Sequence, residues 1–414
     1  MNNRPSADST LCPALRDYQP FDSGHLANPY PVWELSHREA PVFYVQSAEF
    51  WAITGYDEVL RVIRDTETFT SRNALNFKPV PVQLRDRLPN GFPQAHPTLI
   101  NTDPPHHTRL RRAANRALTP AEVRRREPAI TATAGALIDS FAADGTVDIV
   151  SRFAVALPVR VIAEIIGVEP NDQSDFQRWS GDAFLMANPT LTDDEFLRCA
   201  TSMAELKDYL ESRIEECRVD PGDDLISSLL TGEDELTTDQ IVSITAQLLI
   251  GGNVTTTDLI GNALLTLLRD PARWSSLCRD RDTAPSVIEE VLRLESSVRG
   301  LFRTTTRDVA IGGVLIPAES TVWVVFAAAN HDESMFPHPG EFDLRRDNIA
   351  DHLGFGRGTH FCIGAPLARA EVRIALELLA ERLPGLALVE GQQLRYPASP
   401  ISRGVEQLQL RWNV

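Results

Sequence analysis

The hydrophobic and polar positions of this chain repeat mainly with a helical period. Apolar residues recur three and four apart through residues 28–40, 56–69, 108–118, 125–143, 161–168, 194–217 and 236–270. Alternating or continuous apolar runs short enough for strands occur at 41–46 and 51–56, then at 308–327 and 404–414. The pattern predicts a mainly α protein with a small β region. Its strands come from both ends of the chain, which predicts one interwoven domain over 1–414 rather than two beads, with residues 1–20 expected to be flexible. The stretch from Ala74 to Pro105, rich in Pro and Asn, reads as a long ordered loop, and loops of that length are usually functional or disordered.

One helical run is locally odd. "LLIGGNVTTTDLIGN", Leu248 to Asn262, sets Gly251, Gly252, Val254 and three threonines in the middle of a helix. Each glycine costs about 1 kcal/mol there relative to alanine, and the β-branched residues add smaller penalties. Something other than helix propensity selects them.

Composition narrows the function classes. The chain has 414 residues with 40 basic and 57 acidic side chains, a net charge of −17, which argues against nucleic acid or an anionic membrane as a general partner. Its five cysteines form no CxxC pair and no cluster, so neither a disulfide scaffold nor a zinc site is indicated. The polar start and the lack of a lipid-spanning apolar run lead us to expect a soluble, cytoplasmic protein.

Among the cysteines, Cys362 has distinctive surroundings. In "HLGFGRGTHFCIGAPLARAEV" a glycine-punctuated loop delivers it to the start of a long amphipathic helix, where backbone N–H groups and the positive helix end favour a thiolate. The series Phe355, Gly356, Gly358, His360, Cys362, Gly364 closely resembles the haem-binding loop of the cytochromes P-450. That resemblance implies the P-450 fold, a single large helical domain with a small β-rich region, and implies that Cys362 is the proximal thiolate of haem b iron. Further motifs follow in the family's order. Glu290 and Arg293 in "VIEEVLRL" match its E-x-x-R, with Arg346 completing an ion-pair network. Glu58/Arg61, Glu122/Arg125, Glu195/Arg198 and Glu215/Arg218 share the spacing and read as solvated helix pairs. "DPPHHTRLR", from Asp103, places His107 and Arg111 one turn apart. With Arg303 and His360 these are implied to hold the haem propionates, and Phe355, Gly356 and Gly364 to shape the haem loop.

The odd helix matches the family's central helix, with Gly251 and Gly252 at its Ala-Gly positions and Thr255 at its threonine. The resemblance implies that locally unravelled helix holds water there, that Thr255 donates a stabilising hydrogen bond on the oxygen-binding face, and that Thr256 and Thr257 bond back to helix carbonyls. Val254 stands where the family has an acid. Water, Asp258 or the substrate itself remain open as replacements, with an apolar role for Val254 and delivery by water the favoured reading. By matched position the substrate would meet Leu99, Ile100, Met186, Val254, Val298, Arg299 and Ile401. Arg299, if turned inward, would need an anionic partner. The implied activity is insertion of one atom of O2 into a small organic substrate, by hydroxylation, demethylation or desaturation. Electrons would come from an acidic ferredoxin docking on the Cys362 side near Arg109, Arg112, Arg116 and Arg357, and the protein would be a monomer. The alternatives are a peroxide-driven or oxidative-coupling enzyme and, in another class, a thiolate-haem sensor.

Overall fold

The computed structural model describes residues 12–75, 98–168, 173–188 and 191–414. The chain divides into two compact units, each assembled from separated stretches, and one passage from unit to unit falls between Cys362 and Ile363. Both units draw on stretches from the first and the last part of the chain.

The first unit, residues 1–76, 289–362 and 396–403, holds a five-stranded sheet. Its order is Val42–Val45, Phe50–Ile53, Thr321–Val324, Leu301–Thr305, Phe69–Thr70. The Phe50–Ile53 and Thr321–Val324 strands run parallel, and the other neighbours are antiparallel. Alternate residues on these strands and the Tyr56–Arg64 helix enclose a core of Val42, Trp51, Val59, Ile63, Val322 and Phe336, among others. The sequence pattern missed the Leu301–Thr305 strand, because "LFRTT" is too short and too polar to alternate visibly. The expected flexibility also stops short of residue 20. Leu15 and Tyr18 are 0% and 2% exposed, so residues 12–20 are held by apolar burial, while 1–11 lie outside the described residues.

The second unit comprises residues 77–288, 363–395 and 404–414. It is built round the helix Thr238–Leu268, which packs against Ala156–Ile166, Gln173–Leu185, Asp193–Val219 and Ala365–Arg382. A capping box starts the central helix: the Thr237 hydroxyl accepts from Gln240 N–H while the Gln240 side chain accepts from Thr237 N–H. Of its 31 residues, 21 are buried, which explains its low polarity. A small sheet of Thr146–Asp148, Gln409–Arg411 and Ala387–Leu388 completes the unit.

Candidate functional site

In the first unit, the loop carrying the cysteine is pinned on several sides. Leu353 N–H donates to Asn330 Oδ1 at 2.6 Å, and Gly354 N–H to His352 Nδ1 at 3.0 Å, while His352 Nε2 pairs with Glu289 at 3.0 Å. The chain then doubles back: Gly356 N–H donates to Leu353 O at 2.8 Å and Cys362 N–H to Phe355 O at 2.9 Å. Gly356 and Gly358 adopt φ of 63° and 72°, a left-handed backbone that glycine takes without strain. His360 Nε2 lies 3.0 Å from the Ser71 hydroxyl, a partner that local sequence could not reveal. Gly364 caps the Ala365–Arg382 helix, so Cys362 sits just ahead of the helix N-terminus. Cys362 is half-buried, whereas Cys199 and Cys217 are enclosed. Burial, with help from Asp182, pushes the Cys199 thiol up to about 11, and burial raises Cys217 as well, so both are inert packing thiols.

The same unit brings Glu290, Arg293 and Arg346 together. Glu290 accepts from Arg293 Nε at 2.9 Å and Nη2 at 2.8 Å, and from Arg346 Nε at 3.1 Å. By contrast, the Glu122/Arg125 and Glu215/Arg218 pairs are exposed surface contacts. Arg303, 3% exposed on its strand, donates to Phe302 O at 2.8 Å.

Arg299 is a correction. It is 1% exposed, donates from Nη1 to Ser399 O at 3.1 Å and stacks 5.6 Å from the Trp323 ring centroid, with Tyr18 alongside. Its guanidinium is enclosed by aromatic rings and backbone, leaving no surface for a substrate.

In the second unit His107 is buried and Arg111 half-buried on the His106–Asn115 helix; burial, then the Arg111 charge, lowers the His107 pKa. Three nearby arginines are engaged internally. Arg112 and Arg116 ion-pair with the buried carboxylate of Asp234 at 2.5 and 2.9 Å, and Arg109 donates to the carbonyls of Asp234 and Glu235. Arg357, in the first unit, pairs with Asp351 at 2.9 Å. The contacts to Asp234 and Glu235 anchor the turn after residue 231, while the Arg112 side chain keeps most of its surface exposed. The missed residue is Asp234, an ordinary acid in a polar turn with no local signal.

The central helix runs unbroken from Thr238 to Leu268, so the expected unravelling is absent. Its glycines leave room all the same. Among the described residues, a Cβ at Gly251 would meet nothing within 4 Å, and one at Gly252 would reach Ile162, at 3.6 Å. Gly251 is exposed and Gly252, Val254, Thr255 and Asp258 are half-buried, an accessible stripe that stops at Leu259, beyond which the helix is buried. The Thr255 hydroxyl donates to Gly251 O at 2.7 Å, while Thr257 donates to Ala154 O at 3.0 Å. The back-bond expected at Thr257 is therefore made at Thr255 instead.

Of the expected substrate residues, Ile100, Val254 and Val298 present surface, whereas Leu99, Met186 and Ile401 are 5%, 2% and 3% exposed and serve as core. Ile100 N–H donates to Gln247 Oε1 at 3.2 Å. Residues 76–97 of the expected substrate loop lie outside the described residues. Taken by itself, the first unit offers a half-buried thiol on a pinned glycine loop and a buried arginine, and the second offers Arg111 and the glycines at 251 and 252; the chemistry of each set fits a flat, anionic, iron-bearing group.

The Cytochrome P450 family model matches residues 42–383. Over 99% of its length the chain is 35% identical to cytochrome P450 monooxygenase PikC of Streptomyces venezuelae, covering 97% of that protein. It is 35% identical to the vitamin D(3) 25-hydroxylase of Pseudonocardia autotrophica, with 94% of each covered. Among solved structures, cytochrome P450 CYP109Q5 from Chondromyces apiculatus superposes with a TM-score of 0.84 at 37% identity, with 95% of this chain and 97% of that chain covered.

Proposed function

This chain belongs to the cytochrome P450 family and is a haem-iron monooxygenase acting with O2 on a small molecule, and from that premise we propose that it hydroxylates a bulky, uncharged, apolar substrate. The observation that carries the substrate class is the accessible part of the stripe formed by Gly251, Gly252, Val254 and Thr255, which has no charged side chain. The vitamin D(3) hydroxylase among its relatives fits that class. Demethylation or desaturation would use the same site. Electrons would come from a ferredoxin and its reductase, and the protein would work in the cytoplasm as a monomer.

In this reading Cys362 ligates the iron of haem b, with His107, Arg111, Arg303 and His360 holding its propionates, and Phe355, Gly356 and Gly364 shaping the loop. Haem supplies the oxygen activation, aided by electron donation from the thiolate. The remaining work belongs to the chain. Glycine at 251 and 252 clears space beside the helix at a cost of about 1 kcal/mol each. The single hydroxyl proton of Thr255 is donated to Gly251 O, so toward that space the oxygen offers lone pairs that can hold a water. Val254 can neither accept nor pass a proton and packs as apolar wall. The valine also favours a second reading, peroxide-driven turnover, which needs fewer delivered protons; product formation from hydrogen peroxide without a ferredoxin would identify it.

The test of the core reading is the carbon monoxide spectrum of the reduced, haem-loaded protein. A strongly red-shifted Soret band, lost in Cys362→Ser, is expected; haem incorporation without that band in the wild type overturns the reading. Titration with apolar polycyclic compounds should shift the ferric Soret band to the blue, and carboxylate ligands should not.

A further inference from the structure

The accessible face of the central helix carries a hydrogen-bond donor that the assignments above leave unused. Gln247 is half-buried, and with Gly251, Val254 and Asp258 it occupies positions i, i+4, i+7 and i+11, so the four share one face. Between Gln247 and Asp258 that face offers no other free side-chain donor: Ile250, Gly251, Gly252 and Val254 are apolar, and the Thr255 proton is committed to Gly251 O.

The orientation of the Gln247 carboxamide is fixed by its partner. Ile100 N–H donates to Gln247 Oε1 at 3.2 Å. A backbone N–H can only donate, so the amide oxygen must face Ile100, which leaves the NH2 group for another acceptor. Among the described residues no acceptor takes either N–H of Gln247 Nε2. The turn that carries Ile100 is closed on itself. Thr98 N–H and its hydroxyl both donate to Asn101 Oδ1, at 2.6 and 3.0 Å, and the Thr102 hydroxyl donates to Thr98 O at 2.6 Å. Ile100 N–H fastens this turn to the helix, which sets the half-buried Ile100 side chain beside the Gln247 amide.

We propose that Gln247 is a specificity-determining residue whose Nε2 donates a hydrogen bond to a carbonyl or ester oxygen of an otherwise apolar substrate. The proposal rests on the apolar-substrate reading above and deepens it. At a rise of about 1.5 Å per residue the amide lies about 6 Å along the helix from Gly251 and about 12 Å from Thr255, so the substrate spans a length of that order between its acceptor oxygen and the carbon held beside them. The acceptor is neutral. A carboxylate would bring a full charge against a face with no cation, and one amide donor does not offset its desolvation. A ligand without any oxygen would bury the NH2 group unpaired, a cost that a matching acceptor removes.

The test uses the full-length, haem-loaded protein and three probes: a saturated steroid hydrocarbon and its two monoketones, one with the oxygen at each end of the ring system. Affinities are read from the blue shift of the ferric Soret band. The preference for the better-bound ketone over the hydrocarbon should fall about 10-fold in Gln247→Leu. It should fall as far in Gln247→Glu, whose carboxylate still holds Ile100 N–H but has no proton to donate, so donation is separated from anchoring of the turn. In the wild type the infrared C=O band of that ketone, isotopically labelled, should lie lower when bound than in a hydrocarbon solvent, and both substitutions should abolish the lowering. A preference and a C=O band that both substitutions leave unchanged overturn the proposal. Equal loss of ketone and hydrocarbon affinity overturns it as well, because Gln247 would then act only through the shape of the wall. If none of the three probes shifts the wild-type Soret band, the apolar-substrate reading itself falls.

Discussion

Glu290 is fully buried and receives four N–H groups, from Arg293 Nε and Nη2, Arg346 Nε and the Asp343 backbone at 2.9 Å, whereas Asp258 keeps a sealed oxygen that receives none. Around the first knot, Arg293 also reaches the carbonyls of Asn330, Pro339 and Glu341, so its guanidinium is saturated too. Burial alone therefore does not say what a carboxylate does. When every lone pair is met by a fixed donor, the group fastens separated segments together. When donors are absent, burial favours the neutral acid.

The largest expected effect comes from breaking the saturated side. Arg293→Ala strands Glu290 as a buried, half-paired charge and should remove about 3–5 kcal/mol of stability, read as a lower denaturant midpoint with an unchanged slope. On the unsaturated side the sign reverses with pH. The folded-state pKa of Asp258, about 8, lies above the ordinary 3.8, so its folded state binds an extra proton between those values and stability falls as pH rises through them. From pH 6 to pH 8 the wild type should lose about 2 kcal/mol relative to Asp258→Asn, which lacks this titration. Parallel stability curves for the two proteins would erase the contrast between the acids. The smallest effect is at the glycine. Gly251→Ala meets no neighbour and should raise stability by up to about 1 kcal/mol in thermal unfolding, while narrowing the groove and weakening the substrate-induced Soret shift.

Much of this site is legible in the residues because its signals are local. The glycines around Cys362 mark a backbone path that few other residues can follow, and the glycines in the central helix mark a place where a smooth helix has been given up for room. The Glu290/Arg293 pair is not legible by spacing, since four other pairs share it; only its order relative to Cys362 selects it. What is not legible are side-chain partners that lie far along the chain. Arg299 meets Ser399, Trp323 and Tyr18; Arg109, Arg112 and Arg116 meet Asp234; Tyr18 and Leu15 are buried at the edge of a segment expected to be flexible.

The sequence by itself determined the element types, the family and the order of its motifs, because periodicity, glycine placement and short spacings act within a few turns of chain. Tertiary structure alone decided which arginines are free, which threonine bonds back to the helix, and which buried acid keeps its proton. Those outcomes depend on desolvation and on donors brought in from remote segments, and neither is written in the neighbouring residues.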